Sequence, residues 1–407
     1  MPAFGHTPRK AKTVLAVIAP GQGSQTPGFL APWLEIPTFA ERLHWLSAVS
    51  GLDLAELGTT ADAETIKDTA IAQPLIVAAG LVSLLELFPH PADAYRVVGV
   101  GAGHSVGEIT AAAASNIISG EQAMVFVRER GKAMAAAAAH TPTGMSAVLG
   151  GDAEVVLAKL AEHGLTPANN NGAGQIVAGG TMEQLAALAN DPPEGARVRP
   201  LQVAGAFHTV HMAPAVSTLA RYARSISTHD PRTALLSNAD GSVVHSGVEF
   251  LTRLVTQVNN PVRWDLCMQT MAELGVTAVI ELPPAGTLTG LIKRALPDVE
   301  TLALKTPDDL EAARELVARH GTTSPLDTSP TWRMLVAPAK GMFVRGGANE
   351  GDALTVDALV GTVKTLRDEQ AVVAPHGGTI IEWLVEDGDP VAPGQPLVRL
   401  HPEANAS

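Results

Sequence analysis

Val97-Val98-Gly99-Val100-Gly101-Ala102-Gly103-His104-Ser105-Val106-Gly107-Glu108 is the stretch from which the fold can be read. It runs from β-branched residues through small ones into Gly103-His104-Ser105-Val106-Gly107, and an alanine-rich segment, Glu108 to Ala114, follows. That order predicts a buried strand, a sharp turn and a helix. A serine flanked two residues either side by glycine fits a nucleophile elbow, in which small neighbours let the side chain stand on a strained strand-to-helix turn. The helix N-terminus behind it favours negative charge nearby. Any glycine turn that carries a serine satisfies the same three positions, so the surroundings have to decide.

Upstream, Val14 to Ala19 is a continuous apolar run turned by Pro20-Gly21-Gln22-Gly23-Ser24-Gln25, the pattern of a buried parallel strand feeding a loop. Downstream, TALLSN from Thr233, VTAVIEL from Val276 and TLALKT from Thr301 read as further buried strands between helices, and this body closes near His320. Between Gly144 and Val203 the pattern changes to short alternating elements: strand MSAVLGG, helix DAEVVLAKLAEHG, strands TPANNNG and QIVAGG, helix MEQLAALAND and strand ARVRPLQV. We read a βαββαβ insert, ferredoxin-like in order.

At 407 residues the chain exceeds the size at which single cores stop growing, so more than one domain is expected. GTTSPLDTS, from Gly321 to Ser329, lacks periodicity and marks a linker, placed at 321–333. Beyond it the sequence repeats itself at an offset of 37. APAKGMFVRGGANEGDALTVDALVGTV from Ala337 matches APHGGTIIEWLVEDGDPVAPGQPLVRL from Ala374, so that Gly341 pairs with Gly378 and Gly351-Asp352 with Gly388-Asp389. Two similar halves of short strands and glycine turns predict a small barrel in which each half covers the other's apolar face.

A net charge of -13 argues against a general nucleic-acid surface. No uncharged apolar run reaches the roughly 18 residues of a membrane-crossing helix, and the start carries no export signature, so a cytoplasmic protein with no membrane partner is expected. The single Cys267 excludes an intramolecular disulfide and is expected to be a buried structural thiol. No metal site is expected.

A serine nucleophile needs a base. Among 13 histidines the strongest candidate is His208, in Gly205-Ala206-Phe207-His208-Thr209 directly after the insert. At this point the chain resembles the malonyl-CoA:acyl-carrier-protein transacylases, relatives of the acyltransferase domains of polyketide and fatty acid synthases. The resemblance covers roughly residues 13–320. It rests on PGQGSQ at Pro20, GHSVGE at Gly103, RGKAM at Arg130, NNNGAGQIV at Asn169, GAFH at Gly205, QVNNPVRW at Gln257 and GTLTGLIKRALP at Gly286, in the family's order.

The resemblance implies an α/β fold with a hydrolase-like parallel-sheet body, and a ping-pong transfer of malonyl from malonyl-CoA to an acyl carrier protein for fatty acid or polyketide synthesis. It makes Ser105 the acylated nucleophile and His208 the base that later returns the proton to the departing thiolate. It assigns the oxyanion to the backbone N–H groups of Gln22 and Val106 and the malonyl carboxylate to a bidentate grip by Arg130. It gives the Gln257 backbone carbonyl the orientation of the histidine, in place of a triad acid. Phe207 resembles the malonyl-selective pattern, its ring crowding an α-methyl branch. Asn169 and Asn171, with Gly174 and Gln175, match a strand lining the coenzyme A and carrier cleft. Plainer readings stand beside these: a turn residue at Gln22, a solvated arginine at Arg130, core packing at Phe207 and Gln257, turn-forming asparagines at 169 and 171.

Residues 334–402 resemble a biotinyl or lipoyl carrier domain, with VEDGDPVAPGQPL as the matching segment. The attachment Met-Lys-Met of such domains falls on Leu366-Arg367-Asp368, and a guanidinium cannot become the amide that holds biotin or lipoate. Neither group is expected, and Lys364, three residues away, lies outside the match. A docking or spacer role follows, towards a carboxylase that makes malonyl-CoA or another fatty-acid enzyme. Two rival functions are a thioesterase or other serine hydrolase on the same elbow, and a noncatalytic scaffold whose barrel is the active part.

Overall fold

A computed structural model describes residues 13–321 and 333–401. Most of the expected linker and the expected last barrel residue, Pro402, lie outside these. The chain divides into two compact units at Leu326/Asp327.

In chain order, the first unit contains β1 (Leu15–Ala19) and β2 (Val98–Gly103), then β3 (Thr143–Gly150), β4 (Thr166–Asn170), β5 (Gln175–Thr181) and β6 (Ala196–Pro200). It returns through β7 (Ala234–Leu236), β8 (Val243–Val244), β9 (Val262–Arg263), β10 (Ala278–Glu281) and β11 (Glu300–Ala303). The main sheet has the order β11-β10-β1-β2-β7-β8 and is parallel except at its β7/β8 edge. β1 is apolar throughout because both its faces are covered. Leu15, Val17 and Ala19 join one core cluster, Ala16 and Ile18 the other. Ser105 follows the carboxyl end of β2, in the crevice where open α/β sheets place their ligands.

Close packing sets the elbow. A methyl group on Gly107 would lie 2.2 Å from the Ala19 carbonyl oxygen at the end of β1, and one on Gly103 would lie 2.1 Å from the Gly107 carbonyl carbon. Between these glycines Ser105 takes a left-handed φ of 53°, a costly conformation for a residue with a Cβ.

The helix Thr69–Leu87 is long and apolar enough to cross a membrane by length and composition, a property hidden from a count of uncharged residues by Glu86 near its end. Most of its residues are buried within this unit, where it packs on the helix Gly120–Ala138.

The insert's own strands take the order β6-β3-β5-β4, all antiparallel, with the helices Ala153–Glu162 and Met182–Asn190 in the crossovers, which is the order of a ferredoxin-like unit. Two departures from the sequence reading stand out. The last strand stops at Pro200 rather than reaching Val203: the Leu201 N–H still donates to the Met145 carbonyl, but the Val203 N–H turns back to the Leu201 carbonyl. A fifth strand, β9, pairs in parallel with β4. At two residues long it was too short to show a period.

The second unit contains β12 (Arg333–Val336), β13 (Gly341–Arg345), β14 (Ala353–Leu354), β15 (Ala358–Lys364), β16 (Glu369–Ala374), β17 (Gly378–Trp383), β18 (Pro390–Val391) and β19 (Pro396–His401). They form two antiparallel sheets, β12-β19-β17-β14 and β16-β15-β13-β18. Exchanging each strand for its counterpart about 37 residues along turns one order into the other. Each sheet therefore draws two strands from each half, and Phe343, Val360, Val363, Ile380, Leu397 and Leu400 share one core. Arg333, assigned to the linker from sequence, opens β12 instead.

Gly107→Ala should destabilise the protein by about 1–3 kcal/mol or more, because the contact it creates is with backbone that cannot rotate away. Urea unfolding of the variant checks this, and an unchanged midpoint would contradict the packing described.

Candidate active site

Ser105 Oγ lies 2.7 Å from His208 Nε2, and His208 Nδ1 lies 2.8 Å from the backbone carbonyl of Gln257. A carbonyl can only accept, so Nδ1 carries the proton and Nε2 presents a lone pair to the serine hydroxyl. His208 has a φ of 61°, and its own N–H donates to the Val258 carbonyl. It is held by two successive carbonyls, those of Gln257 and Val258.

Arg130, on the helix Gly120–Ala138, is 1% exposed. It donates through Nη1 to Gln73 Oε1 (2.7 Å) and through Nη2 to Gln257 Oε1 (2.8 Å), with Nη2 3.4 Å from Ser105 Oγ. Its Nε has no partner among the described residues. Burial brings its pKa down to about 10, which leaves it charged at neutral pH, while Glu108 pulls the other way. Burial first, and the Arg130 charge second, bring His208 down to about 3, so its imidazole is neutral under ordinary conditions, with Nε2 unprotonated and facing the serine.

The Gln22 side chain donates to the Lys67 carbonyl (3.2 Å) and to Thr69 Oγ1 (3.4 Å), which fixes the loop after β1. Among the described residues, neither the Gln22 nor the Val106 backbone N–H has an acceptor, leaving both available to an oxyanion. Asn171 is buried and its Oδ1 meets His104 Nε2 at 2.8 Å, so its amide group is what remains for a ligand. Asn169 Oδ1 is buried without a partner among the described residues. Phe207 is buried within the main core cluster, beside the histidine. Gly174 and Gln175 line a cavity of about 430 Å³ together with the exposed Arg197 and Arg294. Cys267 is a free, fully buried thiol that burial keeps well above its ordinary pKa.

Sequence reasoning gave no role to four residues that hold this arrangement. Asn238 accepts from the Ser105 N–H (2.8 Å) and donates to the Gly103 carbonyl (2.7 Å), pinning both sides of the elbow. Its position at the end of TALLSN, two residues past β7, the strand next to β2, was the available signal. Glu108, the last residue of GHSVGE, is buried and accepts from the Asn238 N–H and from Gln257 Nε2, both at 2.5 Å. Burial pushes its carboxyl up, while the Asn238 N–H, the Arg130 charge and the Gln257 amide pull it back; with both oxygens accepting from N–H groups, the geometry is that of the carboxylate. Gln73 and His104 complete the set. The Gln257 side chain, which sequence could not distinguish from core packing, joins Arg130 to Glu108. Among the described residues no three His, Cys, Asp or Glu side chains cluster as a metal site.

A serine on an elbow, hydrogen-bonded to a neutral histidine and backed by free N–H groups, defines a serine-dependent acyl transferase or hydrolase. A family model for the acyl transferase domain matches residues 17–320. The chain is 52% identical over 303 residues to the malonyl CoA-acyl carrier protein transacylase of Mycobacterium tuberculosis (strain ATCC 25618 / H37Rv), covering 74% of this chain and all of that protein. The crystal structure of MCAT from Mycobacterium tuberculosis superposes with a TM-score of 0.71 over 74% of this chain and 99% of that one, at 52% identity. A structure of a type II PKS acyl-carrier protein in complex with its malonyl-transacylase matches with a TM-score of 0.69 at 29% identity, over 75% of this chain and all of that one. The chain belongs to the malonyl-CoA:acyl carrier protein transacylase family.

With His208 near 3, kcat/KM for acyl transfer should stay level from neutral pH to at least about pH 5, where an ordinary imidazole would be mostly protonated. The sign follows from the lowered pKa: activity depends on the neutral form and is lost only as pH falls through the folded value. A pH–rate profile with an acid limb near 6.5 would contradict this setting for the histidine.

Proposed function

We propose the following chemistry for this acyl-carrier-protein S-malonyltransferase, which moves malonyl from coenzyme A to the phosphopantetheine thiol of an acyl carrier protein for fatty acid or polyketide synthesis. Ser105 Oγ attacks the thioester carbonyl as His208 Nε2 takes its proton. The oxyanion is met by the Gln22 and Val106 N–H groups, a contribution worth about 10²- to 10³-fold in rate per donor. The coenzyme A thiolate leaves with the proton from His208; in the second half of the ping-pong cycle His208 takes the proton of the carrier's thiol, the sulfur attacks the malonyl carbonyl, and the bond to Ser105 Oγ breaks as that oxygen recovers the proton. Asn169 and Asn171 line the approach for the pantetheine.

The observation that carries this reading is the buried Arg130 guanidinium within 3.4 Å of the nucleophile. Serine and histidine suffice for a thioesterase, but a desolvated cation beside them has a use only where the acyl group itself carries an anion. Gripping the free carboxylate would complete its charge pairing. Phe207 supplies size selection against an α-methyl branch, worth about 1–3 kcal/mol.

The body fits a hydrolase-like sheet, and the second unit fits a biotinyl/lipoyl-type barrel whose attachment position is lost. Its β15–β16 hairpin pairs Lys364 with Glu369 and turns through Thr365-Leu366-Arg367-Asp368, with Leu366 wholly exposed at the tip. Arg367 stands where the modified lysine would be, and Lys364 is ion-paired to Glu369 at 3.3 Å. No prosthetic group follows. The barrel's role is then docking, towards a carboxylase that makes malonyl-CoA or another fatty-acid enzyme. A pulldown with the full chain that recovers no such enzyme removes that role. A cytoplasmic setting fits the single buried thiol.

Intact mass spectrometry before and after brief mixing with malonyl-CoA tests the chemistry. A malonyl adduct should form, discharge onto acyl carrier protein, and fall by at least about a thousandfold in rate in Ser105→Ala. Arg130→Ala should erase the preference over acetyl-CoA, and Phe207→Ala should admit methylmalonyl-CoA. Free malonate without an adduct would mean hydrolysis, and a biotin- or lipoyl-sized increment before mixing would overturn the reading of the barrel.

A further inference from the structure

Arg130 is buried, yet its contacts are with neutral oxygens, the carboxamides of Gln73 and Gln257 and the serine hydroxyl. The nearby buried carboxylate, Glu108, is held at one remove. Gln257 stands between them, its Oε1 accepting from Arg130 Nη2 at 2.8 Å and its Nε2 donating to Glu108 Oε2 at 2.5 Å. The same Nε2 donates to the Ser105 carbonyl at 3.1 Å.

A carboxamide has an accepting end and a donating end, and only one orientation works here. Turned over, it would set N–H against guanidinium N–H and oxygen against carboxylate. Three acceptors crowd its Nε2, Glu108 Oε2 at 2.5 Å, the Ser105 carbonyl at 3.1 Å and Asn238 Oδ1 at 3.3 Å, and the shortest and only charged one, Glu108, contributes most to fixing that orientation. Glu108 Oε1 is taken by the Asn238 backbone N–H, so Oε2 is left to draw the amide group of Gln257 towards it. Glu108 also lines a cavity of about 530 Å³ with Gln257, Arg253, Asn260 and Arg263, a cavity whose lining includes neither Ser105 nor His208. It therefore acts through Gln257.

We propose that Glu108 is a positioning residue for selection of the substrate's carboxylate: through the Gln257 carboxamide it fixes the Arg130 guanidinium in place while leaving its charge free of any contacting carboxylate. A direct Glu–Arg pair would orient the guanidinium equally well and would also satisfy it, removing its pull on a malonyl group. The interposed amide separates the two effects. This deepens the reading of Arg130 as the carboxylate clamp and rests on it.

Glu108→Gln tests the proposal. Its Oε1 still satisfies Asn238, but its new amide group faces Gln257 Nε2, donor against donor, and turns that carboxamide away from Arg130. The kcat/KM for malonyl-CoA should fall roughly ten- to a hundredfold, carried by KM, as expected for loss of a hydrogen bond to a buried charge. Acylation by acetyl-CoA, which reads any effect on the elbow and the histidine, should fall several-fold less, so that the malonyl-to-acetyl ratio drops at least about threefold. In an Arg130→Ala background the substitution should leave the malonyl-to-acetyl ratio where Arg130→Ala put it, because the two act on one interaction.

Equal losses for both substrates, no loss for either, or additive effects in the double variant would overturn the proposal. The clamp itself is judged separately. If Arg130→Ala alone leaves the ratio unchanged, the clamp fails and the proposal with it; if that ratio collapses while Glu108→Gln does nothing, only Glu108 loses its role. Thermal unfolding establishes that each variant is folded. Should Glu108→Gln not fold, Glu108→Asp carries the same expectation, since its shortened carboxylate cannot span Asn238 and Gln257 together. Failure of both to fold would make the carboxylate structural and also overturn the proposal.

Discussion

A guanidinium buried against neutral oxygens is the constraint on which the rest of this site depends. Removing a cation from water costs several kcal/mol unless donors are satisfied and charge is balanced nearby. The protein meets the first demand in part, with the carboxamides of Gln73 and Gln257 but no partner for Nε among the described residues, and the second with Glu108, at one amide's distance. The consequences spread outward. The Arg130 charge helps keep His208 neutral, and the amide that holds Arg130 belongs to the residue whose backbone carbonyl fixes the histidine tautomer. Base and cation are set by one residue, Gln257, at the end of the helix Gly247–Gln257.

The serine is fixed by a second convergence. The Ala19 carbonyl at the end of β1, the two elbow glycines and the Asn238 side chain come from three segments far apart in sequence, and they meet because β1, β2 and β7 are neighbours in one parallel sheet. The strained φ of Ser105 is sustained by this surrounding backbone. Cys267, packed behind Asn238 with its thiol 3.4 Å from the Ser237 carbonyl, fills the space beneath.

Much of this was legible in the sequence. The strand–turn–helix at Ser105, the alternation of the insert and the 37-residue repeat are local signals, and the structure places strands and helices within a few residues of where those signals fall. Motif order brought Ser105, His208, Arg130 and Gln257 to one place. The partners that hold them were not legible, because Glu108, Asn238 and Gln73 touch the site through contacts spanning 57 to 149 positions, which no window along the chain contains. β8 and β9 escaped for a different reason: two residues cannot display a period, and pairing alone makes them strands. The helix Thr69–Leu87 was not singled out because Glu86 interrupts its apolar run, although a core helix covered all round and a membrane span satisfy the same solvent preference.

The oxygen behind His208 is a peptide carbonyl, where serine hydrolases place a carboxylate. A dipole orients the ring as well as an anion does, but it stabilises the imidazolium less, and Arg130 penalises that species further. The proton is thus a short-lived guest on the ring, returned readily to a sulfur leaving group that departs easily on its own account. An enzyme built in this way suits an exchange between thioesters of nearly equal energy, in which neither direction has to be forced. It would act as a two-way valve, with net flow decided by the relative amounts of loaded and unloaded donor and acceptor.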